Sequence, residues 1–218
     1  MSGALQVVFQ NQRSFGPPAI GEAFGGGFYA GQIGVSGVPT HYLVVGPLST
    51  TQSQLAWKNA NTATPGADSD INGPQNTADM VADGSSTVYP CAHFCKNLTI
   101  GGFTDWYMPA KNELEVCYYN LKPSTDNNQT GSGINPNAIP PRASNYTTSN
   151  PAQTSATAFQ TGGAQQFNST AGGDDSYWTS TEFSATNARN QRFANGYQLS
   201  GTGKTFAYKV RALRRIAV

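Results

Sequence analysis

Gly102-Phe103-Thr104-Asp105-Trp106-Tyr107-Met108-Pro109-Ala110-Lys111-Asn112-Glu113-Leu114 is the stretch on which the reading of this chain turns. It combines a glycine turn, two aromatics beside an acid, and a proline leading into an amphipathic run. Leu114, Cys117, Tyr118 and Leu121 stand at i, i+3, i+4 and i+7, so the spacing predicts a helix over residues 109–121 with Lys111 and Glu113 outside. Asp105-Trp106 is expected to fix a turn, with Trp106 anchored in the core. Two later blocks answer this one, Tyr177-Trp178-Thr179-Ser180-Thr181-Glu182 and Lys209-Val210-Arg211-Ala212-Leu213-Arg214. Glu113 has no second carboxylate or histidine at a defined spacing. Solvation or an ion pair with a C-terminal arginine is therefore preferred to general acid–base work. Arg211, Arg214 and Arg215 are read in the same way, as partners of Asp105, Glu113 or Glu182.

Composition narrows the class. At 218 residues the chain suits one domain carrying an arm. Charged residues make up 11% of it, against about 25% in ordinary soluble domains. Its surface must be covered largely by Asn, Gln, Ser, Thr and Gly, which suits hydrogen bonding to sugars or to neighbouring subunits. A net charge of +1 gives no electrostatic case for nucleic acid or an anionic membrane. No apolar run approaches the ~20 residues of a membrane span. Residues 1–6 lack a basic region and a long apolar core, so no signal peptide is expected. Three cysteines exclude a complete disulfide framework. Cys91 and Cys95 would share a helix face, and buried thiols are expected rather than a metal or redox site.

Along the chain, residues 1–18 read as an arm. Leu5, Val7 and Phe9 alternate as in a strand, and Phe15-Gly16-Pro17-Pro18 stiffens the chain beyond them. The arm would be either an edge strand of the domain's own sheet or an anchor on another subunit. Residues 19–47 look like a hairpin, with Phe24, Phe28, Tyr29, Ile33 and Val35 supplying core. Residues 48–76 read as mostly polar loop. Helices are expected near residues 77–82 and 90–98. Residues 122–176 form a long polar insertion pinned by Tyr146, Phe159 and Phe167, a place for a binding or subunit-contact loop. The end of the chain reads as a meander: a strand at 188–193, a hairpin turn at Asn195-Gly196, a return at 197–199, a turn at Gly201-Thr202-Gly203, and a last strand at 205–213.

Together the three blocks resemble the Lcl C-terminal-domain-like family, named after a bacterial collagen-like adhesin and with many phage members. Tyr107-Met108 departs from the family's usual Arg-Leu, and Leu213 stands where a second valine is common. The resemblance covers roughly residues 18 to 216. It implies an α+β, C-type-lectin-like domain over residues 19–218, with a small twisted antiparallel sheet, two main helices and long polar loops. Some phage proteins of this fold are receptor-binding targets of sequence diversification, in which exposed positions near the C-terminus vary. Asn187, Asn190, Arg192, Asn195 and Tyr197 lie in the matching region.

No catalytic set is visible: only His41 and His93 exist, and neither has a sequence partner. Asp174-Asp175 is the nearest approach to a cation site, and no metal or cofactor is expected. The chain is therefore read as a non-enzymatic virion subunit, a decoration, head-fibre or tail-fibre protein. Leu5, Val7, Phe9 and Phe15 would anchor it to other virion proteins. It would assemble as a homo-oligomer, a trimer being usual for virion appendages. The alternative is a dedicated adhesin or carbohydrate-binding module on a host-surface glycan or protein. In that reading Trp57, Tyr146, Tyr177 and Trp178 would serve as stacking platforms.

Overall fold

The computed structural model describes residues 16–170 and 175–218. The anchoring residues Leu5, Val7, Phe9 and Phe15 lie outside that range. The architecture is α+β, four helices with two sheets that curl into a half-barrel. The first sheet has the order β1 (Ala23–Phe24), β2 (Gly27–Val35), β3 (Val38–Val45), β9 (Leu213–Ala217). Gly25 and Gly26, at φ 55° and 85°, make the reversal between β1 and β2 that a side-chain-bearing residue would resist. β9 runs antiparallel to β3, from Val45 opposite Leu213 to His41 opposite Ala217.

The second sheet has the order β4 (Gln52–Ala56), β8 (Ala207–Arg211), β5 (Ser176–Glu182), β6 (Asn187–Arg192), β7 (Gln198–Gly203). Only Ala212 separates β8 from β9. Its N–H donates to the Thr51 carbonyl at 2.9 Å and its carbonyl accepts from Gly46 at 3.0 Å. One run of chain thus leaves the second sheet and enters the first.

The helices are α1 (Leu48–Thr51), α2 (Gly73–Asp83), α3 (Pro90–Lys96) and α4 (Lys111–Leu121). α2 starts where the Asn72 side chain accepts from Gln75 N–H, with Pro74 in the first turn. α4 buries Leu114, Cys117, Tyr118 and Leu121 against Ile33, Leu43, Tyr177 and Phe193. Phe159 and Phe167 from the insertion complete this core, the Phe167 ring stacking on Phe193 at 4.0 Å. A second cluster gathers Trp57, Met80, Tyr89, Cys91, Cys95, Trp106, Trp178 and Val210. All three cysteines are free and buried. Among the described residues no helix is long and apolar enough to cross a membrane.

The three blocks of the sequence meet. Tyr107 and Leu213 exchange backbone hydrogen bonds of 2.8 and 3.0 Å. Ser180 N–H donates to the Pro109 carbonyl at 2.7 Å, and Lys111 N–H donates to Thr181 Oγ1 at 3.0 Å. Arg214 pairs with Asp105 and Arg215 with Glu113. Glu182, however, takes Lys204 rather than an arginine. Arg211 takes no acid among the described residues: it is fully buried and donates to the Gly46 and Gln165 carbonyls.

Several expectations need correction. Residues 48–76 are not all loop, since they hold α1 and β4. β4, Gln52-Ser53-Gln54-Leu55-Ala56, is an edge strand too polar to show a hydrophobic pattern. Gly201-Thr202-Gly203 continues β7 instead of turning, and Asn190 Nδ2 donates to Thr202 Oγ1 at 2.7 Å. The final strand breaks at Ala212. Val35, expected in the core, is 53% exposed. Glu113, expected outside, is fully buried.

Candidate functional site

Among its described residues, the insertion after α4 holds one short 3-10 turn, Thr157–Phe159, and isolated β-bridges, Asn135 with Arg142 and Ala138 with Ile33, but no strand ladder. With no ladder to satisfy its backbone, it is wound around buried polar side chains. Lys122 donates Nζ to the Asp126 and Pro151 carbonyls at 2.5 and 3.2 Å. Asn128 donates Nδ2 to the Thr147 and Pro151 carbonyls at 3.0 and 2.9 Å. The richness in asparagine is here a way of satisfying a loop backbone.

The anchor of this loop is Glu115, on α4 and fully buried. Its carboxylate accepts from Asn135 Nδ2 at 2.5 Å and Tyr146 Oη at 2.7 Å, and it pairs with Arg142. Burial pushes the Glu115 carboxyl above the ordinary carboxylate value, while Arg142, Asn135 and Tyr146 pull it back. Arg142 in turn lies 4.0 Å over the Tyr119 ring. A pocket of about 180 Å³ opens here between Tyr119, Arg142, Ser144, Asn145, Tyr146 and Asn150.

Tyr146 connects this pocket to a second, tighter one. Its Oη accepts from Gln191 Nε2 at 3.3 Å, and the same amide donates to the Gly196 carbonyl at 3.3 Å. Gln191 Oε1 is then left without a partner although the residue is 1% exposed. Across from it Gln198 accepts from Gly133 N–H at 3.3 Å through Oε1, and its Nε2 has no partner. Lys111, at the start of α4, reaches Asp70 at 3.1 Å, and Arg189 Nε lies 3.6 Å from the same carboxylate. Lys111, Arg189, Asn190, Gln191 and Gln198 border a recess of about 10 Å³, room for one water-sized group. Its lining carries two unpartnered amide acceptors, Asn190 Oδ1 and Gln191 Oε1, and several N–H donors. A hydroxyl, which donates and accepts, matches that set.

The four aromatics expected as stacking platforms are not available as such. Trp57, Tyr177 and Trp178 are fully buried and Tyr146 is 4% exposed. Each spends its polar tip internally: Trp57 Nε1 on the Thr179 carbonyl at 2.7 Å, Trp178 Nε1 on the Leu55 carbonyl at 3.2 Å, Tyr177 Oη on Gln52 at 2.9 Å, and Tyr146 Oη on Glu115. They are core, because an aromatic with a satisfied polar tip gains most by full burial.

The C-terminal set divides. Asn190 borders the recess, and its Oδ1 has no partner. Arg192 is half-buried on the same strand with Nε unpartnered. Asn187 braces its own turn through Ser184 and Thr186, and Asn195 accepts from Tyr197 N–H at 3.1 Å, fixing the hairpin. Tyr197 is the exposed member, at 38%. Of the pair read as the nearest approach to a cation site, Asp174 lies outside the described residues and Asp175 is buried. Among the described residues no group of three His, Cys, Asp or Glu could hold a metal.

Sequence reasoning passed over Lys111 as a site residue, and Arg189, Gln191 and Gln198 entirely. Their one signal is a run of polar residues on strands facing a helix, which no local pattern distinguishes from solvent-facing polarity. Compared with protein-family models, with curated proteins and with solved structures, the chain matches none.

Proposed function

We propose that this protein is a phage virion structural subunit, of decoration, head-fibre or tail-fibre type, displaying a C-type-lectin-like domain of the Lcl C-terminal-domain-like family. The late strand β9 lies beside the early strand β3, α2 and α4 flank the sheets, and a long polar insertion follows α4. That arrangement supports the lectin-like reading. The observation that carries a recognition role is Glu115: a buried carboxylate, three side chains deep in contacts, spent on holding an irregular loop around a pocket. Loops of this length in compact domains are commonly functional.

A dedicated carbohydrate-binding module is the second reading, favoured by the uncommitted amide groups of Gln191 and Gln198. Sedimentation with the encoding virions, using full-length and arm-deleted protein, separates the two. Co-sedimentation lost on removal of residues 1–18 supports the virion subunit. Binding to a glycan array, unchanged by that deletion and without co-sedimentation, supports the module instead.

A further inference from the structure

A pocket of about 230 Å³ lies against the β2–β3 hairpin, distinct from the pocket at Glu115 and lined by Ile33, Val35, His41, Ile71, Asn72 and Arg215. Ile33, Val35 and Ile71 give it apolar walls. Arg215 donates Nε to Glu113 at 2.7 Å and one Nη to the Ile71 carbonyl. A guanidinium has five N–H donors, so Arg215 keeps donors to spare at the pocket it lines.

The histidine tautomer follows from its neighbours. Thr40 Oγ1 donates to the Ile33 carbonyl at 3.1 Å, so toward His41 Nδ1, 3.0 Å away, it must accept. Nδ1 therefore carries the proton, and Nε2 presents a bare lone pair with no partner among the described residues. Burial first, and then the charge of Arg215, lowers the His41 pKa, with Glu113 acting the other way. The imidazole is held neutral, while Glu113 balances the guanidinium.

The pocket thus offers a charge-assisted donor, an acceptor able to take a proton, and apolar walls. We infer that it binds a small carboxylic acid with an apolar tail. One carboxylate oxygen accepts from a spare Nη–H of Arg215. His41 Nε2 takes up one proton from solvent and keeps it, and this N–H donates a hydrogen bond to the other oxygen, so that imidazolium and carboxylate form a pair. The volume is below the ~300–1,000 Å³ typical of drug-sized ligands, which limits the acid to the size of hexanoate or benzoate. The site is independent of the virion reading and of the insertion pocket.

The test is titration of full-length protein with hexanoate, benzoate and, as an uncharged control, hexanol, following both histidine rings by NMR. His93 serves as internal reference, its Nε2 being 2.7 Å from the Gly84 carbonyl. The expected result is a shift of the His41 ring with hexanoate alone of the six-carbon pair, a raised His41 pKa in the complex, and proton uptake by calorimetry in two buffers. Val35→Asp, at an exposed position at the mouth, and His41→Phe should each weaken binding about tenfold or more. Arg215 is left intact because Glu113 depends on it. An unmoved His41 ring at millimolar hexanoate would overturn the inference. So would equal binding of hexanol, or undiminished binding by both variants.

Discussion

Arg215 on β9 donates from Nε to Oε1 of Glu113 at 2.7 Å, tying the last strand of the first sheet to the opening turn of α4. The other carboxylate oxygen accepts from Ala110 N–H at 2.8 Å and Gly73 N–H at 3.0 Å, so the same acid caps α4 and receives the start of α2. Tyr107 Oη donates to Oε1 as well. Removing the carboxylate strands a partly buried guanidinium and two helix-end N–H groups. Glu113→Ala should cost about 3–5 kcal/mol, read as a lower urea midpoint with an unchanged slope. A loss under about 1 kcal/mol would mean that water replaces the carboxylate at little cost.

Glu115 predicts a pH dependence. Its carboxyl is raised by burial above the ordinary carboxylate value. Between that ordinary value and the raised one, the folded protein holds more of this proton than the unfolded chain. This group's contribution to stability therefore falls as pH rises through that window and is flat above it. Glu115→Gln should remove this component of the slope in a plot of Tm against pH. It should also loosen the insertion, since Arg142 loses its charge partner. An unchanged slope would show that Glu115 does not titrate in that window.

Burial pushes the thiols of Cys91, Cys95 and Cys117 far above their ordinary value. The thiolate is the reactive species, so native protein should show no reaction with a thiol reagent over minutes, and three equivalents in denaturant. A rapid native reaction of one equivalent would point to local opening of α3 or α4.

Gly196 turns the β6–β7 hairpin at φ 75°, and a Cβ there would lie 2.3 Å from the Tyr118 ring and 2.8 Å from that of Tyr146. Gly196→Ala combines backbone strain of about 1–3 kcal/mol with a clash against two rings that cannot both move. It should lower Tm more than an alanine at exposed Gly201, where nothing lies within 4 Å. Equal effects at the two positions would refute this account.

How much could be read in advance depended on distance along the chain. Leu114, Cys117, Tyr118 and Leu121 reveal α4 because a helix writes its buried face within one heptad. Asn195-Gly196 reveals its hairpin for a similar local reason. Trp57, Trp178 and Tyr177 misled because the groups that satisfy them, the Thr179 and Leu55 carbonyls and Gln52, are 122 to 125 residues away. Beside polar neighbours they resemble a sugar platform until those partners are known. β4 was hidden for the same reason: β8, its one partner strand, lies far downstream. The recess was hidden more deeply, since whether Gln191 or Gln198 has a free amide atom depends on what its other end already holds.

The crossing at Ala212 also bears on when the domain can form. β8 separates β4 from β5, and β9 supplies the outer neighbour of β3. Until residues 207–217 have cleared the ribosome, the second sheet lacks an inner strand and the first lacks an edge. The domain therefore waits for β8 and β9 with both cores unsealed, and closes them together. For such a chain, the span between emergence and closure is the interval of greatest exposure to misassembly.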